Sequence, residues 1–165
     1  MFIIIILSIF HIMSTNKAIC VLSGNNISGV ILLEEDLPNK TTIIKIKING
    51  LTPGKHGLHI HQSGDTRNGC ESMGPHYNPF GKDHGGLNTK CRHVGDLGNL
   101  NANSNGNVDT TIKVKSVKLR GKYSVIGRSI VVHAGEDDLG KGGHADSKTT
   151  GHSGARVACG IIGIL

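Results

Sequence analysis

Ile44, Ile46 and Ile48 alternate with Lys45, Lys47 and Asn49. This period of two constrains the fold more than any other feature of the chain. A strand sends successive side chains to opposite faces, so the pattern describes a half-buried strand with one dry and one wet face. Ile112 and Val114 repeat it against Lys113 and Lys115, and apolar or β-branched runs follow at 18–22, 27–33, 123–132 and 157–162. Turn signals separate these runs: Gly24-Asn25-Asn26, Pro38-Asn39, Pro53-Gly54, and 101–107 with Gly106. No segment carries an amphipathic helical repeat. A chain of 165 residues with many short strands is expected to form one all-β domain, a sandwich or barrel. Aromatic content is 3% and Trp is absent, so its core must be built from Ile, Val and Leu. Residues 62–96 and 134–155 break the rhythm with Gly, Pro, Asn and His. Loops of that length in a small domain are usually functional or disordered.

The formal net charge is +6, which favours anionic partners. No dense Lys/Arg run with interleaved aromatics occurs, so a nucleic-acid partner is not expected. Four cysteines, Cys20, Cys70, Cys91 and Cys159, contain no C-x-x-C pair, which disfavours a sulfur-rich zinc site. They allow three full pairings, among which spacing does not choose. Residues 2–12 are apolar except Ser8 and His11, too short a run for a stable membrane span. No basic residue precedes this run and no good cleavage site follows it, while Met13 offers a second start. The expected division is an apolar extension or signal segment over 1–12 and a functional domain over 13–165. The expected compartment is the cytoplasm, with secretion through an N-terminal signal as the alternative.

Between residues 59 and 133 lie His59, His61, His76, His84, His93, Asp96 and His133. Imidazoles and one carboxylate suit copper and zinc and poorly suit calcium or magnesium. Seven groups are too many for one tetrahedral site and about right for two adjacent metals sharing a ligand. His59 and His61 are two apart in an apparent strand, so their rings share a face. Three imidazoles and a carboxylate, His76, His84, His93 and Asp96, would close a zinc site with no open position.

The segments Gly57-Leu58-His59-Ile60-His61, Gly74-Pro75-His76-Tyr77-Asn78-Pro79, His84-Gly85-Gly86, and Arg92-His93-Val94-Gly95-Asp96-Leu97-Gly98-Asn99 resemble those of copper/zinc superoxide dismutases. Residues 126–133, 137–143 and 154–160 complete the match, in the family's order over about residues 17–165. The resemblance implies an eight-stranded Greek-key β-barrel with two long functional loops, usually paired as a homodimer, acting on superoxide and open to a copper chaperone. It implies copper at His59, His61, His76 and His133, and zinc at His76, His84, His93 and Asp96, with His76 as the bridge. By the same resemblance Asp137 ties a copper-ligand ring to a zinc-ligand ring, Arg156 and His76 act in catalysis, and Cys70 pairs with Cys159. That bond would close a loop of roughly 90 residues. Cys20 matches a buried free cysteine. Leu58 replaces an aromatic common in the family, and Cys91 is unusual. In 144–150 one acid is missing and Lys148 is displaced by one position. His56, His144 and His152 are expected at the surface.

Overall fold

The computed structural model describes residues 16–165. The apolar run 2–12, His11 and the second start at Met13 lie outside the described residues. Eight strands follow in chain order: β1 Lys17–Gly24, β2 Ser28–Asp36, β3 Thr41–Asn49, β4 Gly54–His61, β5 Asp96–Ala102, β6 Val108–Val114, β7 Ser129–His133 and β8 Arg156–Ile164. All pair antiparallel in one sheet of order β5-β4-β7-β8-β1-β2-β3-β6. The hairpin from β5 to β6 joins the sheet's two ends, giving a nearly closed barrel. The only helical element among the described residues is a 3-10 turn at Glu71–Met73, so no described helix is long and apolar enough to cross a membrane.

Strict alternation produces the barrel wall. Ala18, Cys20 and Leu22 on β1, Ile31 and Leu33 on β2, and Ile44, Ile46 and Ile48 on β3 are buried, and their neighbours along each strand are more exposed. In β4 and β7 the pattern changes. From His56 to His61 and from Ser129 to His133 every residue is buried, on both faces. One face meets the core through Leu58, Ile60, Ile130 and Val132. Side-chain alternation puts His59, His61 and His133 on the other face, which the two long loops cover.

Two sequence expectations need correction, and one strand was not anticipated. Residues 123–128 form turns, and only Ser129–His133 of the 123–132 run is strand. Gly127 takes φ 77°, a left-handed conformation that interrupts an extended chain. β5 was not legible as a strand, because Gly98, Asn99 and Asn101 hide its alternation. His56 is not a surface residue: it shares strand parity with Leu58 and Ile60 and is 2% exposed. Its Nδ1 lies 2.8 Å from the His133 carbonyl and its Nε2 lies 2.8 Å from the Thr52 carbonyl. His144 and His152 are exposed as expected and stack on each other, with ring centroids 3.7 Å apart.

The first long loop is fastened to β4 by its own backbone. Ile60 N–H donates to Gly95 O at 2.8 Å, Tyr77 N–H to Ile60 O at 2.7 Å, and Gly95 N–H to Tyr77 O at 3.0 Å. Any side chain at 95 would collide with the Ile60 carbonyl, so this three-way junction requires glycine. The junction brings His76, Asp96 and the His59/His61 strand together.

Candidate metal centre

The barrel supplies a rigid floor for the centre. His59 and His61 project from β4, His133 ends β7, and Asp96 opens β5 opposite His59. Arg156, the first residue of β8, lies opposite His133 at a break in register between Val132 and His133. The loops bring His76, His84 and His93 from one side and Asp137 from the other. His61 and His76 also form an isolated antiparallel bridge.

One ligand atom from each of His59, His61, His76 and His133 falls within 4.8 Å of the others, and all four residues are buried. In each ring the second nitrogen is already held. His59 Nε2 lies 2.8 Å from Asp137 Oδ2, His61 Nδ1 2.7 Å from Gly74 O, and His133 Nδ1 3.0 Å from Gly154 O. His76 Nδ1 faces Asp96 Oδ1 at 3.0 Å. The remaining nitrogens, His59 Nδ1, His61 Nε2, His76 Nε2 and His133 Nε2, are buried without a hydrogen-bond partner. A buried orphaned polar atom is costly, and four converging ones fit an ion that takes four nitrogen ligands.

A second group, His59, His76, His84 and Asp96, meets the same distance limit. His93 joins it through Asp96. The Nδ1 atoms of His76, His84 and His93 lie 3.0, 2.9 and 3.1 Å from Asp96 Oδ1. His84 Nδ1 stands close to that oxygen but off the line a hydrogen bond needs. His93 Nδ1 is also 3.4 Å from His76 Nδ1. Asp96 Oδ2 accepts the backbone N–H groups of Gly85 at 3.0 Å and His93 at 2.8 Å, which fixes the carboxylate plane. The two groups meet at His59 and His76. His59 has only Nδ1 free, so it can serve one ion, whereas His76 presents Nε2 to the first group and Nδ1 to the second.

Asp137 spans both groups. Its Oδ2 lies 2.8 Å from His59 Nε2 and its Oδ1 2.8 Å from His84 Nε2. A carboxylate behind each ring fixes its orientation and raises its basicity at the far nitrogen. Burial pushes His59 down to about 3 and His61 to about 2, with repulsion from His76 adding to both. Burial likewise pushes His133 to about 4. Burial also opposes charge on His84, but its bond to Asp137 and the close Asp96 carboxylate override it and raise that ring to about 9. Burial raises the Asp96 and Asp137 carboxyls, but the surrounding histidines hold both well below the usual carboxylate range. The first group is therefore held as neutral imidazoles, the form that ligates metal.

Sequence reasoning gave no role to three features. Asn99 on β5 clamps the backbone of Asp137, donating to its carbonyl at 2.8 Å and accepting its N–H at 2.8 Å. The Arg92 guanidinium donates to the carbonyls of His93 at 2.8 Å and Asp96 at 3.0 Å, and to Ser116 Oγ at 2.7 Å. Gly74 O accepts from both His61 and Arg156. Asn99 and Arg92 stood in the motifs, but partners that are backbone atoms leave no sequence signal.

Arg156 Nη1 donates to Cys70 O at 2.7 Å and Nη2 to Gly74 O at 2.8 Å. Its charge adds to the downward push on His61 and His133. Cys70 and Cys159 are joined with Cα atoms 5.8 Å apart. Cys20 is buried and free, its thiol pushed up to about 12 by desolvation, and Cys91 is exposed and free. Lys148 is exposed beside the first loop, and its carbonyl accepts the His84 N–H at 2.8 Å.

A family model described as copper/zinc superoxide dismutase (SODC) matches residues 27–162. "Superoxide dismutase [Cu-Zn] 3" of Arabidopsis thaliana is 52% identical over 149 residues, covering 90% of this chain and 90% of its own length. "Superoxide dismutase [Cu-Zn]" of Onchocerca volvulus is 53% identical over 155 residues, covering 92% of this chain and 98% of its own length.

Proposed function

From the premise that this chain belongs to the copper/zinc superoxide dismutase family, we propose that His59, His61, His76 and His133 hold copper and that His76, His84, His93 and Asp96 hold zinc. The enzyme is an oxidoreductase that converts superoxide to oxygen and hydrogen peroxide. The observation that carries the assignment is the convergence of four buried, orphaned ring nitrogens beside a carboxylate ringed by three imidazoles. Bound copper supplies a one-electron acceptor and donor, and bound zinc supplies fixed positive charge and structural order.

The chain's own residues do the rest. The two carbonyl bonds of Arg156 aim its guanidinium, a cationic fork that docks the superoxide anion in both half-reactions. His76 Nε2 would hold copper in one half of the cycle; when free it would take a proton from solvent and pass it to the departing peroxide, while its Nδ1 side stays anchored near Asp96. A second proton comes from solvent. Asp137 keeps the His59 and His84 rings in place. Val21 on β1 and Ile161 and Ile164 on β8 are exposed apolar groups that give a second copy its contact face. A homodimer and a copper-delivering chaperone are part of the same proposal.

Elemental analysis of metal-loaded protein, read beside superoxide decay, tests the assignment. About one copper and one zinc per chain are expected; zinc alone after copper loading would remove the copper half. Arg156→Ala is expected to lower activity several-fold or more while both metals stay bound. The wild-type rate should also fall as salt rises, since screening is felt beyond about 8–10 Å. Unchanged activity in Arg156→Ala would take that residue out of the mechanism.

A further inference from the structure

The rings of the metal centre are steadied from behind, with one exception. The outer nitrogens of His59 and His84 each meet Asp137 at 2.8 Å, that of His61 meets Gly74 O at 2.7 Å, and that of His133 meets Gly154 O at 3.0 Å. His76 turns one nitrogen to each group. His93 directs Nδ1 at Asp96 and is 6% exposed, yet its Nε2 has no hydrogen-bond partner among the described residues. Unlike the orphaned nitrogens of the first group, this atom keeps contact with solvent. With Nδ1 given to a metal, Nε2 carries the ring's proton and is a donor.

His93 lines a cleft of about 230 Å³ together with Phe80, Lys82, Lys90, Lys115 and Ser116, and no carboxylate lines it. The three lysines are exposed, and their ammonium groups have no partner among the described residues. Ser116 Oγ accepts from Arg92 Nη2 at 2.7 Å, which leaves its own O–H to donate. Arg92 is balanced by Asp96 beneath it. The acids of the neighbouring elements stand outside the cleft. Asp83 follows Lys82 but lines the adjoining pocket with Lys148. Asp36 lies two strands from the end of β6, across Thr41, and its carboxylate is held by Asn39 at 2.8 Å. Asp109, at the far end of β6, faces Lys47 at 3.4 Å, and Glu35 is buried against Arg120 at 2.8 Å. Three lysines beside one unpaired acid, Asp83, leave a surplus of positive charge that suits a dianion.

We infer that this cleft binds a phosphate group, held by Lys82, Lys90, Lys115 and the Ser116 hydroxyl and accepting the Nε2–H of His93. The inference rests on the reading of His93 as a zinc ligand. The bound oxygen does for His93 what Asp137 does for His59 and His84: it fixes the ring and raises its basicity at the metal-facing nitrogen. Phosphate thereby slows zinc loss without touching the ion. A phosphate suits donors on several sides of a cleft better than a carboxylate does, because it offers more oxygens. His93 also borders the pocket of Lys148, but Asp83 lines that pocket and opposes an anion there. The cleft is larger than one phosphate needs, and Phe80, 53% exposed, gives it an apolar wall, so a phosphate ester has room for its organic part.

Calorimetric titration of metal-loaded, full-length protein with inorganic phosphate tests this, read beside the rate at which zinc passes to excess chelator. Saturable binding is expected, with zinc release slowed about tenfold at saturation. Arg156 is a second cation that phosphate can meet, so both measurements are repeated in Arg156→Ala, where the cleft binding and the zinc effect should persist. K90Q/K115Q should weaken phosphate binding by about tenfold or more and abolish the zinc effect. K55Q/K141Q, with the same change in net charge elsewhere, should do neither. Equal losses in the two double variants, loss in K148Q instead, or zinc release indifferent to phosphate would overturn the site. A protein that holds no zinc would sink the zinc reading instead, and calorimetry on K90Q/K115Q would still decide whether the lysines bind phosphate. Adenosine monophosphate binding more tightly than inorganic phosphate, with the gain lost in Phe80→Ala, assigns the cleft to an ester; equal binding assigns it to the free ion.

Discussion

His76→Ala is expected to lower superoxide turnover by well over about a hundredfold, because losing an outer partner of a metal ligand already costs 10–100-fold. Both metals should weaken together. His76 is the one ring that presents a nitrogen to each cluster, Nε2 among the orphaned nitrogens and Nδ1 toward Asp96 and His93. His133→Ala removes a nitrogen from the first cluster alone, so copper should weaken while zinc stays near wild type. Asp137→Ala should be intermediate, since it frees two rings but removes no direct ligand. Metal content after dialysis against a chelator, read beside superoxide decay, separates these cases. A His76→Ala protein that keeps zinc at wild-type affinity would show that the ring is not shared.

Replacing Cys159 by Ser should cost about 4–5 kcal/mol of stability, since the bond closes a loop with a sequence separation of 89. For a domain of this size that corresponds to a fall in Tm of roughly 10–20 °C. Activity should fall as well. Cys70 supplies both a sulfur to the bond and a carbonyl to Arg156, so freeing it loosens the guanidinium. Scanning calorimetry of the metal-loaded variant measures the first effect, and sedimentation asks whether a dimer loosens with the loop. A shift of only a few degrees would mean that the loop is held mainly by its hydrogen bonds and its metals.

Much of the barrel could be read from alternation, because isoleucines every second residue leave β3 one way to sit on a core. β5 could not, since Gly98 takes φ 83° inside the strand and Asn99 serves the Asp137 clamp, which leaves Asn101 as its one wet-face residue. His56 was misread although its parity with Leu58 and Ile60 was available; a polar type outweighed position. The ligand histidines and Asp96 were legible because metal chemistry is selective about side chains. The atoms that aim them were not, because Gly74 O, Gly154 O and the backbone around Asp96 belong to groups that every residue possesses. Asp137 emerged from family resemblance, not from spacing. In the structure its function rests on two oxygens reaching rings 53 and 78 residues away.

The carbonyl of Gly74 accepts the His61 ring nitrogen at 2.7 Å and the Arg156 guanidinium at 2.8 Å. A single oxygen atom thus works as a spacer between the guanidinium and a ring of the first histidine group. Its residue takes φ 74°, ψ −161° at the end of the 3-10 turn, a conformation only glycine adopts without strain. The spacing between guanidinium and ring is therefore stored in one peptide unit and not in the contour of the loop before it. Residues 66–69 are exposed, and changes of length or composition there are expected to leave the spacing between cation and ring constant.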